Sequence, residues 1–232
     1  MIREEYTQAL LLAVVAALAL AFIPGINLLG YPFRLLITFV HELGHGLAAI
    51  LTGGRFGRFV VFTNGEGVAY TAGGWRLLII PAGYLSSALF GAGMIALGRN
   101  AEWSKNALMI IGGILVLLTL RYALPNIVSE HWFQGIITVI AGIGIGIGFI
   151  YVARYTNSMI ILFLTNLLGI QAGLTAFNDL LALIRLTSST QGSNDARSMA
   201  AITFIPAIVW AFIWAISAAS IIGFSIWRTW LR

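Results

Sequence analysis

No cysteine occurs anywhere in this chain, which excludes a disulfide framework, a thiolate nucleophile and any structural zinc site built on cysteine. Charge is almost as scarce. Only 9% of the 232 residues are Asp, Glu, Lys or Arg, against about 25% in ordinary soluble domains, while 59% are hydrophobic. Surface that never meets water explains such a deficit, so the solvent expected for this chain is a lipid bilayer. The 13 basic residues outnumber the 8 acidic ones but stand singly rather than in a patch or tail, which argues against a nucleic-acid partner. Arg34, Arg76, Arg99, Arg121, Arg154 and Arg228 interrupt apolar runs in the manner of side chains that snorkel to a headgroup layer.

What is present in quantity is apolar sequence in lengths suited to crossing a bilayer, about 20 residues each. Candidate spans lie at 9–29, 33–51, 77–98, 106–124, 135–153, 158–185 and 201–227. The first reads as a retained helix rather than a cleaved signal, because its apolar stretch runs on to Leu29 and its leading segment is not basic. The span 158–185 is longer than a straight crossing needs and holds Gly169 and Gly173, so a tilt or break is expected there. On a seven-span layout, basic residues divide seven against six between the two sides, which sets no orientation.

Segment 53–74 is of a different kind. Arg58 to Thr63 and Val68 to Thr71 are rich in β-branched and aromatic residues, and Asn64-Gly65-Glu66-Gly67 between them is a turn signal, so a β-hairpin is predicted. The polar stretch 187–198, containing Asp195 and Arg197, reads as a connector. Glycines alternate from Gly142 to Gly148, but no strand precedes them and no acidic partner follows at the required distance; a close-packing helix face is the better reading than a nucleotide loop. The expected fold is an all-α polytopic membrane bundle of about seven transmembrane helices. One small β-hairpin lies between the second and third, and residues 1–232 form a single integral membrane domain.

Acidic groups at membrane depth are costly and therefore functional candidates. Six of the eight acidic residues, Glu4, Glu5, Glu66, Glu102, Glu130 and Asp195, fall in termini or connections, which leaves Glu42 and Asp179 inside spans. Two of the three histidines flank Glu42 as His41-Glu42-Leu43-Gly44-His45. Residues four apart share a helix face, so both imidazoles can bind one metal ion, and Glu42 beside them can act as general base toward a water attacking a carbonyl. At average composition this pattern arises by chance in roughly one chain in two hundred of this length. The competing reading is a pair of helical histidines satisfied by neighbours. A catalytic zinc needs a third protein ligand, for which Asp179 on the helix 158–185 is the candidate donor. The alternatives for Asp179 are an ion pair with Arg185 or a cap at a break near Gly173. His131, followed by Trp132 and Phe133, reads as part of an interfacial loop rather than as a ligand.

These residues, Phe39-Val40-His41-Glu42-Leu43-Gly44-His45-Gly46, together with the hairpin, Pro81 to Ser87 and Asn178-Asp179, resemble the site-2 protease family of intramembrane zinc metalloproteases, in particular its small bacterial and plant peptidase-like branch. The resemblance implies Zn2+ held by His41, His45 and Asp179, with Leu180 standing where the family has glycine. It also implies an endopeptidase of the bacterial cell membrane whose partner is the transmembrane helix of another membrane protein, opened before cleavage. The β element beside the motif helix, here the hairpin carrying Val61 and Val68, would pair with the unwound substrate. A proteolytically silent zinc-binding scaffold or chaperone and a metal transporter are the rival readings. Substrate identity and oligomeric state are not set by the sequence.

Overall fold

The computed structural model describes residues 2–23, 25–188 and 194–232. Within them the chain forms eight α-helices and a single two-stranded antiparallel hairpin, and seven of the helical segments are long and apolar enough to cross a membrane. Helix α1 is Ile2–Phe22 and α2 is Tyr31–Leu51. The hairpin follows as β1 (Arg55–Val61) and β2 (Gly67–Ala72), then α3 (Arg76–Leu97), α4 (Ala101–Leu118), α5 (Trp132–Tyr155), α6 (Ser158–Ser188), α7 (Asp195–Thr203) and α8 (Ala207–Ile226).

Two expected boundaries are corrected. The first span stops at Phe22 instead of continuing to residue 29, because Gly25 takes φ 87° and a short 3-10 turn, Ile26–Gly30, delivers the chain to α2 with Pro32 in its first turn. The predicted span 201–227 is two helices. Phe204 at φ 59° closes α7, and Pro206 caps the start of α8. Part of the segment expected to be a connector therefore belongs to an ordered helix: Asn194 caps α7 by accepting the Arg197 N–H at 2.9 Å.

Helix α2 is the most enclosed of the seven spans, and α8 the least. Its buried Leu36, Phe39 and Leu43 face the centre, where Phe39 meets β1 through an edge-on contact with Phe59 at 5.2 Å. Helix α3 packs against α2, α6 and α8, α1 lies on α6, and α4 pairs with α5. Leu11, Ile110, Ile140 and Ile216 remain exposed on the outer helices, as lipid contact allows. The alternating glycines of α5 divide by face. A side chain at Gly142 would strike Thr119 and Phe39, and one at Gly146 would stand 2.7 Å from the Gly112 carbonyl, whereas Gly144 and Gly148 have nothing within 4 Å.

The hairpin turns through Thr63, Asn64 and Gly65, with Gly65 at φ 88° supplying the left-handed position that this loop length requires. Helix α2 holds the turn: the Thr38 hydroxyl donates to Gly65 O at 2.7 Å and the Tyr31 hydroxyl to Thr63 O at 3.0 Å. The outer edge of β1 is closed by the bundle. Asn126 donates to Phe59 O at 2.6 Å, and Thr138 accepts the Val61 N–H at 2.9 Å. Val61 pairs with Gly67 and Phe59 with Ala69, so in this antiparallel register the main-chain groups of Gly67 and Ala69 point away from β1, toward α2.

Candidate metal centre

Helical spacing stacks His41 above His45 on one face of α2, with Nε2 atoms 3.0 Å apart and rings edge to face. Neighbouring backbone fixes the second ring. His45 Nδ1 lies 2.7 Å from the Ile79 carbonyl on α3; a carbonyl only accepts, so Nδ1 carries a proton and Nε2 is the nitrogen that faces the centre of the site. The third group is a carboxylate from α7. Asp195 Oδ2 stands 3.3 Å from Nε2 of each histidine.

Among the described residues these three form the one group of His, Asp or Glu side chains close enough to share a metal ion. Their geometry suits zinc. Corners of a tetrahedron with bonds of about 2.0–2.1 Å lie about 3.3–3.4 Å apart, which the separations of 3.0, 3.3 and 3.3 Å approach. Burial alone would push the Asp195 carboxyl up. The hydrogen bonds and charge of His41 and His45 outweigh it and hold Asp195 well below the ordinary carboxylate range, in the anionic form that metal ligation needs.

Glu42 is buried beside this triangle, at 5% exposure, next to β2. Gly67 lies against its side chain. From α3, Gly83 abuts both imidazoles, and the Tyr84 ring meets the His41 ring edge-on at 4.7 Å while stacking on Trp214 of α8 at 5.2 Å. The site is thus assembled by α2, α3, α7 and β2.

Of the residues expected from the sequence, His41, Glu42 and His45 are brought together. Asp179 lies on α6, but its side chain is outside the described residues. Among the described residues, Asp195, expected in a connector, is the one whose carboxylate completes a triangle with the two histidines. The readable signal is local: Asn194-Asp195, a cap residue followed by an acid in the first turn, is a helix start set within a polar stretch. Val61 is buried and its N–H is taken by Thr138, whereas Val68 on β2 is 41% exposed. His131 stands apart from the triangle, 3.8 Å from Glu130 and edge-on to Phe62.

A helix-borne histidine pair and a carboxylate completing the triangle can hold a metal ion next to a buried glutamate, and the family comparison points to a peptidase. The family model described as Peptidase M50B-like matches residues 11–225. The chain belongs to this family. M50B-like peptidases are part of the site-2 protease group, and the match runs from within the first apolar helix to within the last, taking in the hairpin and the five helices between. With those seven helices, this M50B-like chain is an integral multi-pass membrane protein. Neither the curated proteins nor the solved structures yield a significant match.

Proposed function

We propose that this chain is a zinc-dependent intramembrane endopeptidase, with zinc held by His41, His45 and Asp195 and with Glu42 as general base. The observation that carries the reading is the triangle of two Nε2 atoms from α2 and the Asp195 Oδ2 atom from α7, with a buried glutamate on the same turns of α2 as the histidines. When bound, zinc polarises a carbonyl and makes water acidic enough to attack at neutral pH. The residues do the rest. Glu42 accepts the proton of the attacking water on its carboxylate and returns it to the leaving amine nitrogen, while Asp195 and His45, the latter braced by Ile79, keep the ligand set in place.

The substrate is a transmembrane segment of another membrane protein. A helix hides its carbonyls in internal hydrogen bonds, so cleavage requires local opening, and the freed groups need partners inside the bilayer. Because β1 is closed by Asn126 and Thr138, the strand suited to this task is β2, whose outward main-chain groups at Gly67 and Ala69 lie beside Glu42 and whose Val68 side chain is exposed.

The test is zinc quantification together with cleavage of a transmembrane substrate by purified wild type and Glu42→Gln. About one zinc per chain is expected in both, with cleavage lost or reduced about 100- to 10,000-fold in the variant. Full turnover by Glu42→Gln would defeat the mechanism. Zinc without cleavage by either form would favour the silent scaffold.

A further inference from the structure

Two glycines line the crossing of α2 and α3, and they do different things. A side chain added at Gly44 on α2 would run into the wall of α3, meeting Ser86 and standing 2.7 Å from the Ala82 carbonyl. That is ordinary helix packing. A side chain added at Gly83 on α3 would instead meet the ends of two side chains: its Cβ would stand 2.5 Å from Nε2 of His41, 2.5 Å from Nε2 of His45 and 2.6 Å from Cε1 of His41. The space left by Gly83 is thus taken up by the two nitrogens that face each other at 3.0 Å.

The rings have little freedom to retreat. His45 is tied through Nδ1 to the Ile79 carbonyl one turn before Gly83 on the same helix, and the ring of Tyr84 stands against His41. A methyl group at position 83 can be admitted only if the imidazoles separate or turn, and either movement spoils a triangle whose sides suit zinc. We propose that Gly83 is a positioning residue of the metal site. Its missing side chain lets both imidazoles converge, and any side chain there weakens metal binding while leaving the α2–α3 packing intact. This inference rests on the zinc reading above.

The experiment compares wild type, Gly83→Ala, Gly83→Val and Gly44→Ala as full-length protein in detergent. Zinc affinity is measured by chelator competition, and thermal midpoints are measured after metal removal. Gly83→Ala should bind zinc about 10- to 100-fold more weakly, as loss of a support to a ligating histidine does. Gly83→Val should bind it more weakly still, and the metal-free midpoint of Gly83→Ala should match that of metal-free wild type. Gly44→Ala should show a lowered metal-free midpoint. Wild-type zinc affinity in Gly83→Ala would overturn the proposal, and so would a metal-free midpoint depressed as far as that of Gly44→Ala, which would make position 83 a packing site. Failure of the wild type itself to take up zinc would remove the zinc reading, and this inference with it, a result distinct from either of those.

Discussion

Gly67 of β2 lies directly on the side chain of Glu42: a Cβ at position 67 would stand 2.7 Å from both Cγ and Oε1 of the glutamate, and as close to the Thr38 methyl. The hairpin and the motif helix therefore meet at the proposed general base, not at the metal. Gly67→Ala should displace the Glu42 carboxylate without reaching His41, His45 or Asp195. The expected outcome is zinc content equal to wild type with kcat reduced at least about tenfold, read from metal analysis and cleavage assays on the same preparation. Unchanged kcat would show that the Gly67 contact is not needed to place the carboxylate.

The glycine run of α5 offers a test of fold alone. Gly146 lets α5 approach α4 until backbone faces backbone, whereas Gly144 is open on the opposite side. Gly146→Val should lower stability by about 1–3 kcal/mol or more, the usual range for forcing atoms into a packed interface, while Gly144→Val should be near neutral. Thermal unfolding in detergent separates the two. Equal effects would mean that the α4–α5 contact is looser than described.

The helices and the hairpin were legible because lipid imposes long apolar runs and because Asn64-Gly65 between β-branched segments admits few other readings. The motif helix was legible for a local reason: His41, Glu42 and His45 sit within two turns, where helical geometry alone determines that they meet. Asp195 was not legible. Its distance from His41 along the chain is large, and only the packing of α7 on α3 and α8, through Ile80, Met199 and Trp214, brings its carboxylate home. Depth within a hydrophobic run singles out acidic residues inside the spans, and it misses one that reaches the site from a short, more polar helix outside them. Gly83 and Gly67 were hidden for a related reason, since what matters at each is a neighbour contributed by another element.

Two neighbouring residues of β2 should respond differently to loss of an amide. The Ala69 N–H points out of the ladder, toward α2, so Ala69→Pro should leave the hairpin paired and zinc bound while lowering cleavage. Val68 pairs with Val60 at a position whose main-chain groups face β1, so Val68→Pro should disrupt the hairpin itself and lower the thermal midpoint. Asn126→Ala should also destabilise, by about 1–3 kcal/mol, because it leaves the buried Phe59 carbonyl without its donor. Wild-type cleavage by Ala69→Pro would exclude the outer edge of β2 from substrate binding.

Asp195 and Asp179 provide the sharpest contrast, since the sequence pointed to one and the structure brings the other to the histidines. Asp195 Oδ2 sits 3.3 Å from both Nε2 atoms, so Asp195→Ala removes one corner of the ligand triangle and leaves two histidines alone. Zinc affinity should fall by more than the roughly 10- to 100-fold that follows loss of a supporting hydrogen bond, and cleavage should be lost with it. Asp195→Asn should behave in the same way, because a neutral amide keeps the shape but not the anionic oxygen that the histidines hold in place. If Asp195 completes the site, Asp179→Asn should retain zinc at wild-type affinity. Chelator-competition titration of the three variants decides between them: tight zinc in both Asp195 variants with loss in Asp179→Asn would return the third position to α6.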